Sequence, residues 1–240
     1  MGRGTAFDSA PGYHNFIGAN FVYENKNASL INDTTHPADP HNKHTTDGSG
    51  IIMDTFNTAG FTGGNTLIFS NLSYNNGGSG IRIFATDSVT VTNNTVWGNN
   101  QDKNQFASNH GEIYVTTATN ISVYNNIAVV NLPKANGTTY ALLDHDTDGD
   151  QYDYNCIVGD EGTLTLKGWT LPSWGYSIAM DPEFVNATTD PASANFSLKA
   201  GSPALHSGYT AYVPRAPHNL NINSAPLITT ASPTPDIGAY

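Results

Sequence analysis

The sequence Asn71-Leu-Ser-Tyr-Asn-Asn76 contains a pattern that returns along much of the chain. The pattern is an Asn, any residue, an apolar or small residue, an aromatic residue or Val, any residue, and usually a closing Asn. It returns as Asn94-Thr-Val-Trp-Gly-Asn99, and further copies begin at Asn20, Asn126 and Asn155. Most copies lie about 20 to 30 residues apart, an interval typical of solenoid repeats, each of which buries its apolar face only against its neighbours. The pattern therefore predicts a solenoid.

A second pattern alternates with the first and consists of a Gly followed by an apolar, any, apolar sequence. It occurs as Gly50-Ile-Ile-Met53 and Gly80-Ile-Arg-Ile83, with an earlier copy at Gly4–Phe7 and a later one in which Glu112 replaces the Gly. Short alternating runs such as Val89-Thr-Val-Thr92 indicate strands rather than helices. We therefore predict an all-β chain whose repeats are the rungs of a parallel β-helix.

The repeated Asn residues are predicted to form one buried column. Equivalent residues of successive rungs lie about 4.8 Å apart in such a fold, so an inward Asn is able to bond the backbone above and below it. The same reasoning predicts a second column of apolar residues. Its members are Tyr23, Tyr74, Trp97, Val129 and Val158.

Composition limits the classes of partner. The 240 residues are enough for one domain, and a net charge of −11 argues against nucleic acid or an anionic membrane as partner. The single Cys156 excludes an internal disulfide, and no apolar stretch is long enough to cross a membrane. Several Asn-x-Ser/Thr sequons favour secretion, with a signal peptide absent from this sequence. We expect a secreted monomer.

The chain divides into repeats and a different C-terminal segment. We expect rungs over residues 1–175, with long loops at 26–47, 101–110 and 132–153, and a C-terminal rung and capping segment of the same domain over 176–240. The reason is that a solenoid needs a cover over its last open rung.

The alternating patterns resemble those of the pectate-lyase-like superfamily, whose fold is a right-handed parallel β-helix. The C-terminal stretches Asp181-Pro-Glu-Phe-Val185, Phe196–Ala204 and Asp236-Ile-Gly-Ala-Tyr240 resemble the closing segment of bacterial secreted members. The resemblance implies a right-handed β-helix of about five or six rungs with a C-terminal capping segment. It also implies a carbohydrate-active protein, without selecting the reaction.

One face of the Gly-led strands is predicted to carry carboxylates. If Met53 and its equivalents point inward, the residues that follow them, Asp8 and Asp54, point outward on adjacent rungs. Asp47 opens the same rung as Asp54 and supplies a third oxygen ligand. Oxygen ligands at this density suit Ca²⁺.

The resemblance implies a calcium-assisted polysaccharide lyase that cleaves a uronate-containing glycan by β-elimination. In such an enzyme a cation neutralises the substrate carboxylate and a basic side chain removes the neighbouring proton. The sequence departs from calcium-dependent members because residues 76–80, where they carry paired acidic residues, read Asn-Gly-Gly-Ser-Gly. The candidate catalytic residues near this face are Lys43, Arg82, Asp54, His44 and Glu112. The candidate substrate-binding residues are His110, Trp169 and Trp174, with Tyr176 as a further ring able to stack on sugars.

Two other functions remain open. A glycoside hydrolase would use paired carboxylates as acid and base or nucleophile, and Thr46-Asp47-Gly48 and Asn109-His110-Gly111 are partial matches to motifs of polygalacturonase-like hydrolases. A non-catalytic glycan-binding or adhesion module would need only an aromatic or polar shelf. The His-rich loop at 36–44 is a further candidate for a transition metal.

A second calcium site is predicted at residues 144–150. Oxygen-bearing side chains alternate there and Gly149 permits the chain to bend, as in the first half of a calcium-binding loop. The twelfth position is Asn155 rather than Glu, so we expect a structural ion and no chemistry. The predicted ligands are Asp144, Asp146 and Asp148.

Overall fold

The computed structural model describes residues 12–27, 31–32, 43–44, 48–55, 57–58, 61–62, 65–102, 109–130, 138–145, 147–159, 175–214, 218, 220–227 and 234–240. Within these ranges the chain is all-β and is dominated by three parallel sheets. No helix in the same ranges has the length and apolar character needed to span a membrane.

Each parallel sheet collects strands that are distant in sequence. Sheet 1 contains, in spatial order, β1 (Tyr13–Gly18), β8 (Asn65–Phe69), β11 (Val89–Thr92), β14 (Ser122–Tyr124) and β17 (Gln151–Asp153). Sheet 2 contains β2 (Phe21–Tyr23), β9 (Leu72–Tyr74), β12 (Thr95–Trp97), β15 (Ile127–Val129) and β18 (Cys156–Val158). Sheet 3 contains β5 (Ile51–Asp54), β10 (Ile81–Phe84), β13 (Asn109–Thr116) and β16 (Thr138–His145).

The remaining strands form short antiparallel pairs. They are β3 (Ile31–Asn32) with β4 (Lys43–His44), β6 (Asn57–Thr58) with β7 (Phe61–Thr62), and β19 (Phe184–Asn186) with β20 (Asn195–Leu198). A single-turn 3-10 helix spans Thr210–Tyr212.

The chain visits the three parallel sheets in a fixed order. From β8 to β18 it passes through sheet 1, sheet 2 and sheet 3 in turn, and each strand pairs in parallel with the one three positions later. This cyclic order is consistent with a β-helix-like solenoid, as the repeats predicted. The register also confirms both sequence alignments: Ile81 lies between Ile51 and Ile113, and Trp97 lies between Tyr74 and Val129.

The main hydrophobic core lies between the three sheets. Residues of alternate positions in each strand point inward, and Ile68, Ile83 and Val115 are completely buried. Because full burial of one such side chain contributes about 1.5–3 kcal/mol, the stacked apolar columns are the principal source of stability. Met53 is buried as predicted, while Asp54 is exposed.

The predicted Asn column is present. The Nδ2 group of Asn94 donates to the carbonyl of Ile68 (3.0 Å) and to Oδ1 of Asn126 (2.9 Å), and Oδ1 of Asn94 accepts the backbone N–H of Asn71 (3.0 Å). Asn126 bonds Asn155 in the same way. These amides satisfy backbone groups at the corner between sheets 1 and 2, which would otherwise be buried without partners.

The three stretches predicted to be long loops contain strands. The stretch 132–153 was expected to be a loop but contains β16 and β17, because its Tyr140–Leu143 sequence extends the core of sheet 3. Parts of the predicted loops at 26–47 and 101–110 also form strands, namely β3, β4 and the start of β13.

The C-terminal segment packs along the sides of the sheets rather than mainly across the last strand. Ile178 does extend sheet 2 by a parallel bridge to Cys156. Beyond it, Phe184 and Phe196 pack on the outer face of sheet 2 against Tyr74 and Trp97, forming a second core. The outward apolar residues of sheet 2 need this cover, because three of its strands present large rings or aliphatic chains on that face.

Candidate functional site

One concave surface formed by described residues lies on the outer face of sheet 1. The outward residues of β1, β8, β11 and β14 form its floor, and the C-terminal residues 211–214 and 218 form its wall. The groove between them has a volume of about 630 Å³. This is the size range of small-molecule and oligomer sites on proteins, about 300–1,000 Å³.

The wall at the β14 end is held by a ring stack. The rings of Tyr124 and Tyr212 lie 3.7 Å apart and nearly parallel, at 9°. The Thr92 hydroxyl donates to the carbonyl of Tyr212 at 2.9 Å. The two contacts fix the C-terminal segment against sheet 1 at this point.

The other end of the wall is held in a similar way. The ring of His218 stacks on Phe16 at 4.0 Å and meets the edge of Phe69 at 5.2 Å. The Ser70 hydroxyl donates to the carbonyl of Leu220 at 2.6 Å. Phe16 is still 45% exposed, so part of its ring is open to a ligand.

A glycine makes this aromatic end possible. Gly18 lies beside Phe69 in the sheet 1 register, and a Cβ at Gly18 would lie 2.2 Å from the Phe69 ring. Any other residue at this position would displace the ring, and with it the surface on which His218 rests.

Hydroxyl groups line the floor between the rings. The Tyr13 hydroxyl donates to the Thr90 hydroxyl at 2.9 Å, and Ser122 follows Thr90 in the register of the next strand. A smaller cavity of about 220 Å³ shares Gly12, Tyr13 and Thr90 with the groove. It adds Asn65, Ser88 and Asn120 to the polar lining.

The groove carries no formal charge along its described lining. None of the residues that line either cavity is Asp, Glu, Lys or Arg. The chain as a whole carries a net charge of −11, so the neutral lining contrasts with the acidic protein around it. Such a surface suits a ligand with hydroxyl groups and apolar faces rather than a charged one.

Asp54 and Arg82, two of the predicted catalytic residues, lie on the outer face of sheet 3 instead. Asp54 is paired in register with Phe84, and its Oδ1 accepts the Thr55 hydroxyl at 2.5 Å. The Arg82 guanidinium lies 5.1 Å from the Phe84 ring and 5.6 Å from the Tyr114 ring. The two residues share a face, but that face is separate from the groove.

Glu112 lies inside the protein, where its carboxyl group is hydrogen-bonded by Asn99. Its side chain is completely buried and accepts the backbone N–H of Asn99 at 2.9 Å and its side-chain amide at 2.7 Å. Burial raises the pKa of Glu112 to about 8, although the Asn99 hydrogen bonds lower it. A side chain closed off in this way has no contact with a ligand on the surface.

The other predicted site residues are described by their backbone alone or lie outside the described residues. Lys43 and His44 lie in β4 and His110 lies in β13, where only the backbone is described. The remaining predicted site residues, namely Asp8, Asp47, Asp146, Trp169 and Trp174, lie outside the described residues. Most of the His-rich loop 36–44 also lies outside them.

Two of the predicted calcium ligands, Asp144 and Asp148, lie in the described part of the loop at 144–150. Register with Val115 places Asp144 in the inward column of sheet 3, and its carboxylate accepts the hydroxyls of Thr147 and Tyr152. Asp148 is exposed, and its carbonyl accepts the Asn120 N–H at 2.9 Å. The third predicted ligand, Asp146, lies outside the described residues, so the calcium ion at this loop stays a prediction.

Asp150 completes this acidic group. Its Oδ1 accepts the Ile121 N–H at 2.8 Å, and its other oxygen lies 3.4 Å from the Tyr152 hydroxyl. Burial raises the pKa of Asp150 to about 6, opposed by the Ile121 bond. In the part of the chain that the structure describes, no group of three or more His, Cys, Asp or Glu side chains is placed to hold a metal ion.

Comparison with known proteins identifies no relative. No family model, no curated protein and no solved structure matches this chain.

Sequence reasoning did not identify the groove. The alternation in Val89–Thr92 and Ser122–Tyr124 marks Thr90, Ser122 and Tyr124 as outward residues, and this signal was available. The partners Tyr212 and His218 belong to a segment without repeats, so nothing in their local sequence indicated which sheet they would cover.

Proposed function

We propose that this protein binds a neutral polysaccharide along the groove on sheet 1, and that its scaffold is a right-handed parallel β-helix of about five or six rungs. The observation that carries the proposal is the uncharged, aromatic and hydroxyl-rich lining of the groove. Secretion as a monomer, inferred from the sequence, belongs to the same proposal.

The chemistry of the lining matches that of an uncharged sugar chain. Sugar rings present apolar C–H faces that pack on aromatic rings, and Phe16 and His218 offer such rings, whereas the Tyr124 ring is covered by Tyr212. Sugar hydroxyls both donate and accept, as do the hydroxyls of Tyr13, Thr90 and Ser122. A polyuronate would bring many negative charges to an acidic protein whose groove has no basic side chain among its described lining residues.

The experiment is a binding panel with soluble neutral polysaccharides (glucan, xylan and mannan) beside polygalacturonate and alginate, measured by affinity electrophoresis. We expect retardation by at least one neutral polymer and none by the uronates. His218→Ala and Thr90→Val should weaken that retardation, while Phe21→Ala, which removes a 55% exposed ring on sheet 2, should not.

Two outcomes would contradict this proposal. Retardation only by the uronates would exclude a neutral ligand. Retardation unchanged in both groove variants would place binding elsewhere on the protein.

A second candidate is the uronate lyase predicted from sequence. It is favoured by one observation, the common outer face shared by Asp54 and Arg82 on sheet 3. The planar guanidinium of Arg82 presents N–H donors in a fork that matches a carboxylate, so Arg82 suits the neutralisation of a substrate carboxylate. Among the described residues, Asp54 is the only carboxylate on this face, and one carboxylate does not by itself fit Ca²⁺.

The lyase test uses the ultraviolet absorbance of unsaturated uronates with polygalacturonate as substrate, in Ca²⁺ and in chelator. Activity that is lost in Arg82→Gln and retained in Lys199→Gln, a control in the C-terminal segment, would support this candidate. Reducing ends released without absorbance would indicate the hydrolase alternative instead.

A further inference from the structure

We propose that three tyrosines beyond the β14 end of the groove, Tyr154, Tyr176 and Tyr209, form a second sugar-stacking platform. This inference rests on the proposed function and adds to it that the ligand is a long chain, which occupies the groove and the platform together. We call these three residues the tyrosine platform.

The rings of the tyrosine platform lie in contact with one another, one pair stacked and the other tilted. Tyr154 lies between the other two, with its centroid 5.0 Å from that of Tyr209 at an interplanar angle of 14° and 4.9 Å from that of Tyr176 at 30°. Rings placed to cover a core are buried by it, whereas Tyr176 is 69% exposed and Tyr209 is 45% exposed. The stack therefore leaves aromatic surface open to solvent.

The tyrosine platform is continuous with the groove. Tyr209 meets the edge of Tyr212 at 5.1 Å, and Tyr154 meets it at 6.0 Å. Tyr212 in turn stacks on Tyr124, and both line the groove. A chain lying in the groove thus passes from one set of rings to the next alongside Asp153, which is paired in register with Tyr124.

Backbone contacts hold two of the three tyrosines in place. Asp153 Oδ1 accepts the N–H of Tyr154 at 2.8 Å and the N–H of Tyr176 at 2.7 Å. Gly175 precedes Tyr176 with a φ of +58°, and a Cβ there would lie 2.4 Å from the same Asp153 oxygen. Only glycine allows this close approach, so the position of Tyr176 is set before any ligand arrives.

The third tyrosine is fixed to sheet 1 from the other side. The N–H of Tyr209 donates to Asn125 Oδ1 at 2.9 Å, and Asn125 Nδ2 donates to the carbonyl of Tyr209 at 3.1 Å. A preorganised set of rings binds with a smaller loss of conformational entropy than rings on a mobile loop. These paired contacts are what a binding platform requires.

The occupant that fits is a neutral glycan. Tyrosine combines an apolar ring face with a hydroxyl group, the combination that suits a surface with both C–H faces and hydroxyls. The adjoining groove has the same character, so one uncharged chain satisfies both surfaces.

The test measures affinity against ligand length by isothermal titration calorimetry, with cello-, xylo- and manno-oligosaccharide series as probes. In the wild type, affinity should continue to rise after the oligomer has filled the groove. Tyr176→Ala should lower affinity for long oligomers about three- to tenfold, the loss expected for one stacking contact, and leave short oligomers unchanged. Tyr176→Phe should keep most of the affinity for long oligomers.

Two variants separate this inference from the proposed function. Met180→Ala removes another exposed apolar side chain, 58% exposed, near Tyr176 in sequence and should bind all oligomers normally. His218→Ala should weaken short and long oligomers alike, because it alters the groove. If His218→Ala has this effect and Tyr176→Ala has none, the tyrosine platform is wrong and the groove stands. If no oligomer binds the wild type, both proposals fail, and an equal loss at all lengths in Tyr176→Ala would show a structural role only.

Discussion

The carboxylate of Glu112 accepts both the backbone N–H and the side-chain amide of Asn99, at 2.9 and 2.7 Å. It thereby occupies the position that an Asn side chain occupies in the preceding repeats, where Asn25 bonds Asn76 and Asn76 bonds Asn99. This second polar column therefore includes a titratable group that lies inside the protein and has no exposure to solvent.

The first prediction concerns pH and Glu112. The folded-state pKa is raised to about 8 from 4.5, so the folded protein retains this proton while the unfolded chain releases it. The contribution to stability is therefore greatest below pH 4.5, decreases by up to about 1.4 kcal/mol per pH unit between 4.5 and 8, and is constant above 8.

The measurement is urea unfolding of the wild type and Glu112→Gln from pH 5 to 9. Gln does not titrate, so the variant should show a shallower decrease in the free energy of unfolding over this range. Parallel curves for the two proteins would show that Glu112 does not carry the expected shift.

The second prediction concerns the first Asn column. Asn94→Ala removes the acceptor of the Asn71 N–H and the donor to the Ile68 carbonyl, both buried, and should cost on the order of 2–5 kcal/mol. Asn20→Ala at the exposed end of the column should cost much less, since Asn20 is exposed and its amide bonds only Gly18 and Asn71 among the described residues. Urea unfolding of both variants measures the difference in the free energy of unfolding. Equal losses would contradict the role of the buried Asn column in stability.

The third prediction concerns the second core beneath the C-terminal segment. Phe196 is completely buried against Tyr74, Trp97 and Phe184, so Phe196→Ala should lower the free energy of unfolding by about 3–5 kcal/mol. Near-ultraviolet circular dichroism should change as well, because the environment of Trp97 changes. Val185→Ala, which shortens an exposed side chain in the neighbouring strand β19, is the control and should stay within about 0.5 kcal/mol of the wild type.

The fourth prediction concerns the wall of the groove. Tyr212→Ala removes the stack on Tyr124 and should loosen residues 206–214 from sheet 1. Amide hydrogen exchange should rise in that segment while the exchange of the Ile68 and Val91 amides in the sheet core is unchanged. Exchange that rises throughout sheet 1 would mean that the C-terminal segment supports the sheet itself rather than only the groove.

The sequence by itself determined many strands of the parallel sheets and much of their register, although β16 and β17 lie in a stretch that was expected to be a loop. Inward Ile81 falls between Ile51 and Ile113, and Asn94 between Asn71 and Asn126, as their places in the repeats predict. The reason is that parallel stacking places equivalent residues of successive repeats next to one another, so that a column in space is a period in the sequence.

The tertiary structure alone decided which surface became a groove. It also decided where the residues that depart from the repeat pattern lie. Glu112 looks like a surface acid in the sequence, yet it is buried, because the strand register makes it the partner of Asn99. The groove depends on contacts such as Tyr124 with Tyr212 and Phe16 with His218, whose partners lie far apart in the chain. Such contacts follow from the complementary shapes of a docked segment and a sheet face, which have no period, and so a repeat pattern carries no information about them.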